Sequence, residues 1–309
     1  MGRRRRKGDP VHGWFVVDKP VGLSSSAAVN TVRRLANAAK AGHGGTLDPL
    51  ATGVLPIALG EATKTMRYIV DSTKEYRFTV RWGVSTATDD AEGEIVERAD
   101  VRPDADAIRT VLPRFRGEIE QVPPRYSAIK VDGQRAYDLA RDGAEFELKS
   151  RIVLIKNIEL EGIPDPGHAS FHVTCGAGAY MRSLGRDIAL ALGTVGHITA
   201  LRRTRVGPFH EADAISLDAL HSFGDSAAVL QHMLPVETAL DDIPALALTD
   251  GEARRLRSGQ SVPLLRRTDL QRIAGFNDGD TVLALGKGKP VALTRYVAGE
   301  VQPLRVLNL

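Results

Sequence analysis

The chain contains 309 residues, of which 43% are hydrophobic and 26% are charged, a composition typical of a soluble globular protein. Cys175 is the single cysteine, which excludes an intrachain disulfide and a cysteine-based zinc cluster and favours a cytoplasmic location. No run of 18 apolar residues occurs, so the sequence predicts no membrane-spanning helix.

The charges are distributed unevenly along the chain. The net charge is only +3, but residues 3–7 are consecutive cations, and residues 253–309 contain ten Lys or Arg against four Asp or Glu. Residues 89–106 are acidic by contrast. This asymmetry favours a polyanion as the partner of one side of the molecule, although a soluble surface with uneven charge would also show it. We expect residues 1–10 to form a basic, disordered tail.

In chain order, the first predicted elements surround a glycine-rich loop. Residues 14–18 are an apolar run typical of a short buried strand. Residues 24–39 combine serine caps with one apolar face, which predicts a helix. The glycine-rich loop occupies residues 42–53. Residues 76–82 then alternate between apolar and polar side chains, and this period of two predicts a half-buried strand.

The middle of the chain contains a second strand and a strong helix. Residues 169–175 alternate like a strand, and after a glycine-rich break a helix begins near Tyr180 and ends at Gly193. Arg182 falls in the first turn, one position off the apolar face, so we expect it beside the glycine break and outside the core. Residues 123–150 are polar and proline-containing, which is typical of a protruding, partly mobile insertion.

The composition changes near residues 235–244, where we predict a domain boundary. Residues 249–252 follow the pattern of a capping box and open a short helix. Three short strands are predicted after it, at residues 281–285, 291–297 and 304–309. This part of the chain is therefore predicted to be a small β-rich module of about 65 residues, too small to be a robust catalytic domain.

The glycine-rich loop is the most informative segment of the sequence. It contains four glycines, His43 and Asp48, and Pro49 follows the aspartate directly. Proline disfavours a helical conformation for the residue before it, so Asp48 is not an ordinary helical surface carboxylate. A carboxylate held on a rigid loop suits covalent catalysis by aspartate. A tight turn capped by Asp48 is an equally good interpretation of this spacing alone.

Several familiar sites are absent from the sequence. There is no Walker A loop, no dinucleotide-binding fingerprint and no His-Glu-x-x-His motif, and the eight histidines lack metal-ligand spacing beside carboxylates. The sequence therefore predicts an enzyme that needs no cofactor and no metal, or a binding protein.

The loop and six other motifs together resemble the TruB-type tRNA pseudouridine synthases. The matches run in order from about residue 13 to 209, and the block around Asp48 is the most specific of them. The motifs are Lys19-Pro20-x-Gly22-x-Ser24-Ser25, Gly42-His43-x-Gly45-x-Leu47-Asp48-Pro49-x-Ala51-Thr52-Gly53-x-Leu55-Pro56, Gly60-x-Ala62-Thr63-Lys64, Tyr76, Tyr126-Ser127-Ala128-Ile129-Lys130, Gly178-x-Tyr180-x-Arg182-Ser183-Leu184 and Leu201-Arg202-Arg203-Thr204.

The resemblance implies an α+β fold. Residues 11–240 would form a catalytic domain with a mixed, largely antiparallel sheet, and residues 245–309 would form a small PUA-like RNA-binding module. The expected enzyme is a cytoplasmic monomer that acts without a protein partner, a cofactor or a metal. It would isomerise uridine 55 in the T loop of tRNA to pseudouridine, after flipping the base out of the folded loop.

The resemblance also implies roles for particular residues. Asp48 would be the nucleophile, Tyr76 would stack on the base and act as general base, and Arg182 would pair with Asp48 and keep it ionised. Leu201 would form a wall of the pocket, and His43 would contact the RNA at the place the base has left. The remaining expected contacts with the T loop come from the insertion at 124–150 and from Lys19, Tyr126, Lys130 and Tyr180.

Each residue also has a simpler interpretation. Tyr76 fits the apolar face of its strand, an isolated Arg182 is most often a surface residue, and His43 suits a turn. Two other functions fit the whole chain: a guide-RNA-dependent synthase of the same superfamily, and an RNA-binding or RNA-folding protein whose catalysis is incidental. The sequence leaves open whether Asp48 attacks C1′ or the uracil ring, or only stabilises a charged sugar.

Overall fold

A computed structural model describes residues 8–127, 129–131 and 133–309. The basic block at residues 3–7, and with it most of the expected tail, lies outside the described residues. In the described part, a ten-stranded sheet and a five-stranded sheet account for most of the strands, and two small hairpins supply the others. None of the described helices has the length and apolar character needed to cross a bilayer.

The large sheet is built from the first two thirds of the chain. Its strands are β1 (Gly13–Lys19), β2 (Ala41–His43), β3 (Thr52–Leu59), β4 (Lys74–Trp82), β7 (Gly117–Gln121), β10 (Arg151–Asp165), β11 (His168–Cys175), β12 (Gly196–Val206), β13 (Phe209–His210) and β14 (Ile215–Ser216), and the hairpins are β5 (Val84–Thr86) with β6 (Ile95–Arg98) and β8 (Lys130–Val131) with β9 (Gln134–Arg135).

The strand order is β14-β1-β3-β12-β4-β11-β10-β7, with β13 added to β12 and β2 added to β3. The pairs β1–β14 and β3–β12 are parallel, and the other pairs of this sheet are antiparallel. The prediction of a mixed, largely antiparallel sheet is therefore confirmed. This order places β3 beside β12 and β12 beside β4, so three segments that are distant in sequence meet in space.

Helices cover the faces of this sheet. They are α1 (Ser25–Leu35), α2 (Met66–Asp71), α3 (Ala105–Val111), α4 (Ala136–Arg141), α5 (Met181–Ala191), α6 (Leu217–Ser222) and α7 (Ser226–Leu230), with 3-10 turns at Gly60–Lys64, Leu112–Phe115, Glu211–Asp213 and Val236–Leu240. Leu184 and Ile188 of α5 are fully buried in the same core cluster as Phe78 and Val80 of β4. The apolar periodicities of both elements therefore identified their buried faces correctly.

The small sheet has the order β15-β17-β18-β19-β16. Its strands are β15 (Ala245–Leu248), β16 (Val262–Pro263), β17 (Thr281–Gly286), β18 (Lys289–Val297) and β19 (Glu300–Val306), and α8 (Asp250–Arg257) packs against it. The predicted capping box is present, because the Thr249 hydroxyl accepts from the Glu252 amide and the Glu252 carboxylate accepts from the Thr249 amide. The third strand lies at Glu300–Val306, earlier than predicted.

The end of the chain returns to the large sheet. Leu307 is 2% exposed and belongs to a core cluster with Trp14 and Phe209. The Lys64 ammonium donates to the Val306 carbonyl at 2.7 Å. These contacts join the end of the chain to the large sheet near Lys64. The predicted division into two units did not include such a connection.

Candidate active site

The loop that carries Asp48 connects β2 to β3 and is held by its neighbours. The Ser25 hydroxyl accepts from the Leu47 amide at 2.8 Å and donates to the Leu47 carbonyl at 2.9 Å. Ser24 caps helix α1 by accepting from the Ala27 amide, as predicted. Ser24 therefore serves as a helix cap. Ser25 instead fixes the main chain of Leu47, the residue directly before Asp48.

Lys19 also holds this loop. The side chain is fully buried, and its ammonium donates to the carbonyls of Pro20, Leu23 and Pro49 at 2.8, 2.7 and 3.3 Å. Burial lowers its pKa to about 8, against the opposing effect of the Asp48 carboxylate. The expectation that Lys19 contacts the T loop does not fit this geometry, because its donors are occupied by main-chain carbonyls and no part of it reaches the surface.

A second buried cation, Arg203 on β12, supports the loop from the other side. Its guanidinium donates to the carbonyls of Val54, Gly45 and Thr46 at 2.8, 3.1 and 3.4 Å. It is 2% exposed, so these bonds form in a largely dry environment. Arg203 belongs to the Leu201-Arg202-Arg203-Thr204 motif of the sequence. The motif alone did not predict that Arg203 would support the loop that carries Asp48.

Asp48 and Arg182 form an ion pair. Asp48 Oδ2 lies 2.9 Å from Arg182 Nε, with side-chain exposures of 36% and 5%. The other guanidinium nitrogens donate to the carbonyls of Thr88 and Tyr126 at 3.0 and 2.9 Å. Arg182 lies beside the glycine break, as predicted, since it lines a cavity together with Gly176 and Gly178, but its side chain is buried. Asp48 is therefore the more accessible member of a pair whose cation is fixed.

Arg182 has a second acidic neighbour that the sequence did not reveal. Asp90 Oδ2 lies 3.6 Å from Arg182 Nη1, and Asp90 is 2% exposed. Its other oxygen accepts from the Glu92 amide at 3.0 Å and from the Thr88 hydroxyl. In the sequence, Asp90 was one of several acids in residues 89–106. Only the fold shows that the Asp90 carboxylate is a second negative charge beside the Arg182 guanidinium.

Asp48 opens into a cavity of about 310 Å³, named here the inner cavity. Its lining includes Asp48, Tyr76, Tyr180, Arg182, Leu201 and Arg203. Burial raises the pKa of the Tyr76 hydroxyl above its ordinary value of 10.0, although the nearby Arg203 guanidinium opposes this shift. Burial likewise raises the pKa of Tyr180. Both phenols therefore remain neutral at physiological pH and present flat, mainly apolar surfaces.

A wider cavity of about 520 Å³, the outer cavity, adjoins the inner one and shares Asp48, Ser127 and Arg182 with it. Its lining includes Ser25, His43, Asp48, Asp90, Tyr126 and Arg182. Burial, together with Arg203, lowers the pKa of His43 below 6.5, so its imidazole is neutral at pH 7. The structure thus brings together every predicted site residue except two: Lys19 is buried beneath the loop, and Lys130 is exposed on β8 and lines neither cavity.

Unpartnered polar atoms are concentrated at this site. Five buried side-chain nitrogens or oxygens of the described residues have no hydrogen-bond partner, and three of them are His43 Nδ1, Ser127 Oγ and Arg182 Nε. The Arg182 Nε–H is close to Asp48 but is not aligned with it for a hydrogen bond. Because buried polar groups are usually satisfied, the His43 and Ser127 atoms can serve a polar ligand, whereas Arg182 Nε already faces the Asp48 carboxylate.

The described residues include no group of three or more His, Cys, Asp and Glu side chains arranged to hold a metal ion. The side chains that line the two cavities include the Asp48 carboxylate, the Arg182 guanidinium, the phenols of Tyr76 and Tyr180 and the His43 imidazole. A carboxylate at the mouth of a flat pocket can stabilise or trap an electron-poor sugar carbon.

Comparison with known proteins agrees with this geometry. Residues 33–181 match the family described as TruB family pseudouridylate synthase (N terminal domain), and residues 182–241 match the tRNA pseudouridylate synthase B C-terminal domain. A tRNA pseudouridine synthase B from Rhodospirillum rubrum is 56% identical over 99% of both chains. One from Gluconacetobacter diazotrophicus is 59% identical over 98% of this chain and 100% of its own.

Solved structures share the fold. The chain from a structure titled "Crystal Structure of a Cbf5-Nop10-Gar1 Complex" superimposes with a TM-score of 0.72 at 29% identity, covering 96% of this chain and 84% of that one. A chain from an H/ACA ribonucleoprotein bound to a substrate RNA containing 2′-deoxyuridine gives a TM-score of 0.73 at 25% identity, covering 100% and 92%. With the identities over nearly the full length, these findings establish that the chain belongs to the TruB family of pseudouridylate synthases.

Proposed function

We propose that this protein isomerises uridine 55 in the T loop of tRNA to pseudouridine, acting alone. The observation that carries the proposal is the half-exposed Asp48 carboxylate, held 2.9 Å from the buried Arg182 at the mouth of a cavity walled by Tyr76 and Leu201. A planar base fits between such walls. The full-length relatives bear the name of the same activity.

The reaction breaks the N1–C1′ bond, turns the uracil and joins C5 to C1′. The proton lost from C5 is balanced by the proton gained at N1. Breaking the glycosidic bond builds positive charge at C1′, and a nearby carboxylate lowers that barrier by electrostatic stabilisation or by covalent capture. Arg182 pairs with the carboxylate at 2.9 Å and aims it at the cavity. In this proposal Tyr76, which lines the inner cavity, stacks on the ring and exchanges a proton with it.

The uridine must leave the folded loop before it can reach Asp48, at a cost of a few kcal/mol. His43 lies in the outer cavity next to Asp48, where its ring can take the place of the everted base. Tyr126 lines the same cavity, and Lys130 is exposed on the adjoining hairpin, where it can meet a phosphate. We include the insertion at 124–150 among the elements that hold the T loop.

We further propose that residues 245–309 bind RNA outside the T loop and that the enzyme works as a cytoplasmic monomer. The excess of Lys and Arg after residue 253 supports this role. Deleting the module is a poor test, because Leu307 packs in the core of the large sheet. Replacement of exposed arginines of α8, such as Arg254 and Arg257 by Glu, should instead reduce tRNA affinity and its salt dependence.

The decisive experiment is incubation of the purified protein with unmodified tRNA and with a T stem-loop RNA, followed by mapping of the isomerised nucleotide. We expect conversion at the target uridine without a guide RNA. Asp48→Ala should abolish conversion and keep most of the tRNA affinity, because binding comes from phosphate and loop contacts elsewhere. Conversion by Asp48→Ala would end the assignment of Asp48.

One alternative is a synthase of the same superfamily that needs a guide RNA, and the likeness to the Cbf5 chain extends to that superfamily alone. That function would be favoured if the purified protein were inactive on tRNA alone and became active with a guide RNA. A cellular defect rescued equally by wild type and by Asp48→Ala would favour a role in RNA binding or folding.

A further inference from the structure

Ser127 is the buried polar residue of the site that has no role so far. It is 4% exposed and lines both the inner and the outer cavity. Its carbonyl accepts from the Tyr137 amide at 2.9 Å, which fixes the main chain. Its hydroxyl, however, has no hydrogen-bond partner among the described residues. The side chain is therefore held in place, beside Asp48 and Arg182, with a hydroxyl that forms no full hydrogen bond within the described residues.

Neighbouring hydroxyls show that this condition is unusual. The Ser183 hydroxyl donates to the Val122 carbonyl at 2.8 Å, and the Ser25 hydroxyl forms two bonds with Leu47. The Tyr180 hydroxyl is the candidate partner within the protein: a weak hydrogen-bonding contact with the Ser127 side chain lowers the pKa of Tyr180 against the effect of its burial, but this contact falls outside the geometry of a full hydrogen bond. A buried hydroxyl without a partner destabilises the free protein. It persists most readily where a ligand completes it.

We propose that Ser127 binds the substrate by donating its hydroxyl proton to a ring carbonyl of the everted uracil. The inference rests on the proposed function of this site. The inner cavity, with Tyr76 and Leu201 among its walls, fits the flat base rather than the ribose. Turning the uracil about its N3–C6 axis exchanges N1 with C5 and O2 with O4. A single donor therefore meets a carbonyl oxygen both before and after the base turns.

The test is Ser127→Ala, which removes one oxygen atom and, within the protein, only its weak contact with the Tyr180 hydroxyl. We expect the single-turnover rate on full-length tRNA to fall about tenfold, the contribution of one neutral hydrogen bond. The tRNA dissociation constant should stay within twofold, and the melting temperature should be unchanged or higher. A rate within twofold of wild type would overturn the proposal. So would a clear loss of thermal stability, because the hydroxyl would then have a partner inside the protein.

Thr204 provides a matched control. Its hydroxyl on β12 is also buried without a partner among the described residues, but Thr204 lines neither cavity. Thr204→Val should therefore leave the rate unchanged. A tenfold loss in this variant as well would show that removing any buried hydroxyl near the site slows the reaction, and it would overturn the specific role of Ser127.

Substrate analogues identify the atom that Ser127 contacts. Sulfur accepts hydrogen bonds poorly, so with 2-thiouridine or 4-thiouridine at the target the ratio of wild-type to Ser127→Ala rates should fall toward one. A ratio that stays near ten with both, and falls only when the target lacks its 2′-hydroxyl, would assign the contact to the ribose and overturn the uracil assignment. Wild-type enzyme that fails to convert the normal target would contradict the proposed function itself, before Ser127 is tested.

Discussion

Replacing Arg182 by lysine tests whether the geometry of the cation, beyond its charge, sets the rate. Arg182 reaches Asp48 through Nε at 2.9 Å while its two terminal nitrogens donate to the carbonyls of Thr88 and Tyr126. A lysine has a single ammonium on a flexible stem and cannot keep these three directions at once. We expect the ammonium to stay with the buried carbonyls and Asp90, and to withdraw from Asp48.

The size of the effect follows from the distance. Two unit charges 2.9 Å apart attract by about 6 kcal/mol at an effective dielectric constant of about 20, and by about 1.4 kcal/mol in bulk water. Asp48 is 36% exposed, which places the pair between these limits. Losing about 3 kcal/mol of this interaction in the transition state lowers the rate about a hundredfold.

The assay is the single-turnover rate of pseudouridine formation on saturating tRNA, with tRNA affinity measured separately. Arg182→Lys should reduce the rate about a hundredfold, by the argument above, and leave affinity within a few-fold. Arg186→Lys is the matched control, because Arg186 lies one turn further along α5 and forms its own ion pair with Asp89 at 2.9 Å. A rate for Arg182→Lys within tenfold of wild type would refute the reasoning, as would an equal loss in both variants.

Three further predictions follow from the supports of the site. Asp90→Asn removes the charge behind Arg182 while keeping the shape, and it should lower the same single-turnover rate at least about tenfold; an unchanged rate would show that the 3.6 Å contact is incidental. Burial lowers the pKa of Lys74 from 10.5 to about 8, so between these values the unfolded chain holds the proton that the folded protein has released, and stability from this group rises with pH. Lys74→Met should flatten the rise in unfolding free energy measured by urea titration between pH 8 and 10, and an identical slope would contradict the assignment. Gly53 has φ +97, and a Cβ there would lie 2.2 Å from the Arg203 carbonyl oxygen; Gly53→Ala should cost at least about 3 kcal/mol in thermal unfolding. Gly22→Ala, at φ +80 with nothing within 4 Å, should cost only about 1 kcal/mol, and equal losses would rule out the clash.

The sequence predicted the parts of the fold that depend on local periodicity. The alternation in β4 and the spacing in α5 identified buried faces correctly, because one side of each element packs on the core whatever the rest of the chain does. The strand order came only from the structure. The resemblance supplied the mixed, largely antiparallel sheet, which no periodicity contains. It also supplied the grouping of Asp48 with Tyr76 and Arg182, and the structure does bring these three side chains to one cavity. Their roles stay predictions.

The supports of the site could not be predicted in the same way. Lys19 was expected at the RNA surface, but it is buried and bonded to main-chain carbonyls. Asp90 looked like one acid among many, and Arg203 had no assigned role. Lys19 and Arg203 bind main-chain carbonyls, and Asp90 lies beside a guanidinium that is distant in sequence. Residue type alone does not indicate such a partner.

By itself, the sequence determined which stretches form strands and helices, where the glycine-rich loop lies, and which family the chain resembles, because these follow from local patterns and motifs. Only the tertiary structure decided which polar side chains are enclosed and which stay open to a substrate. That outcome depends on β3, β12 and β4 lying side by side, since a side chain's partners and its access to water are set by distant segments packed against it.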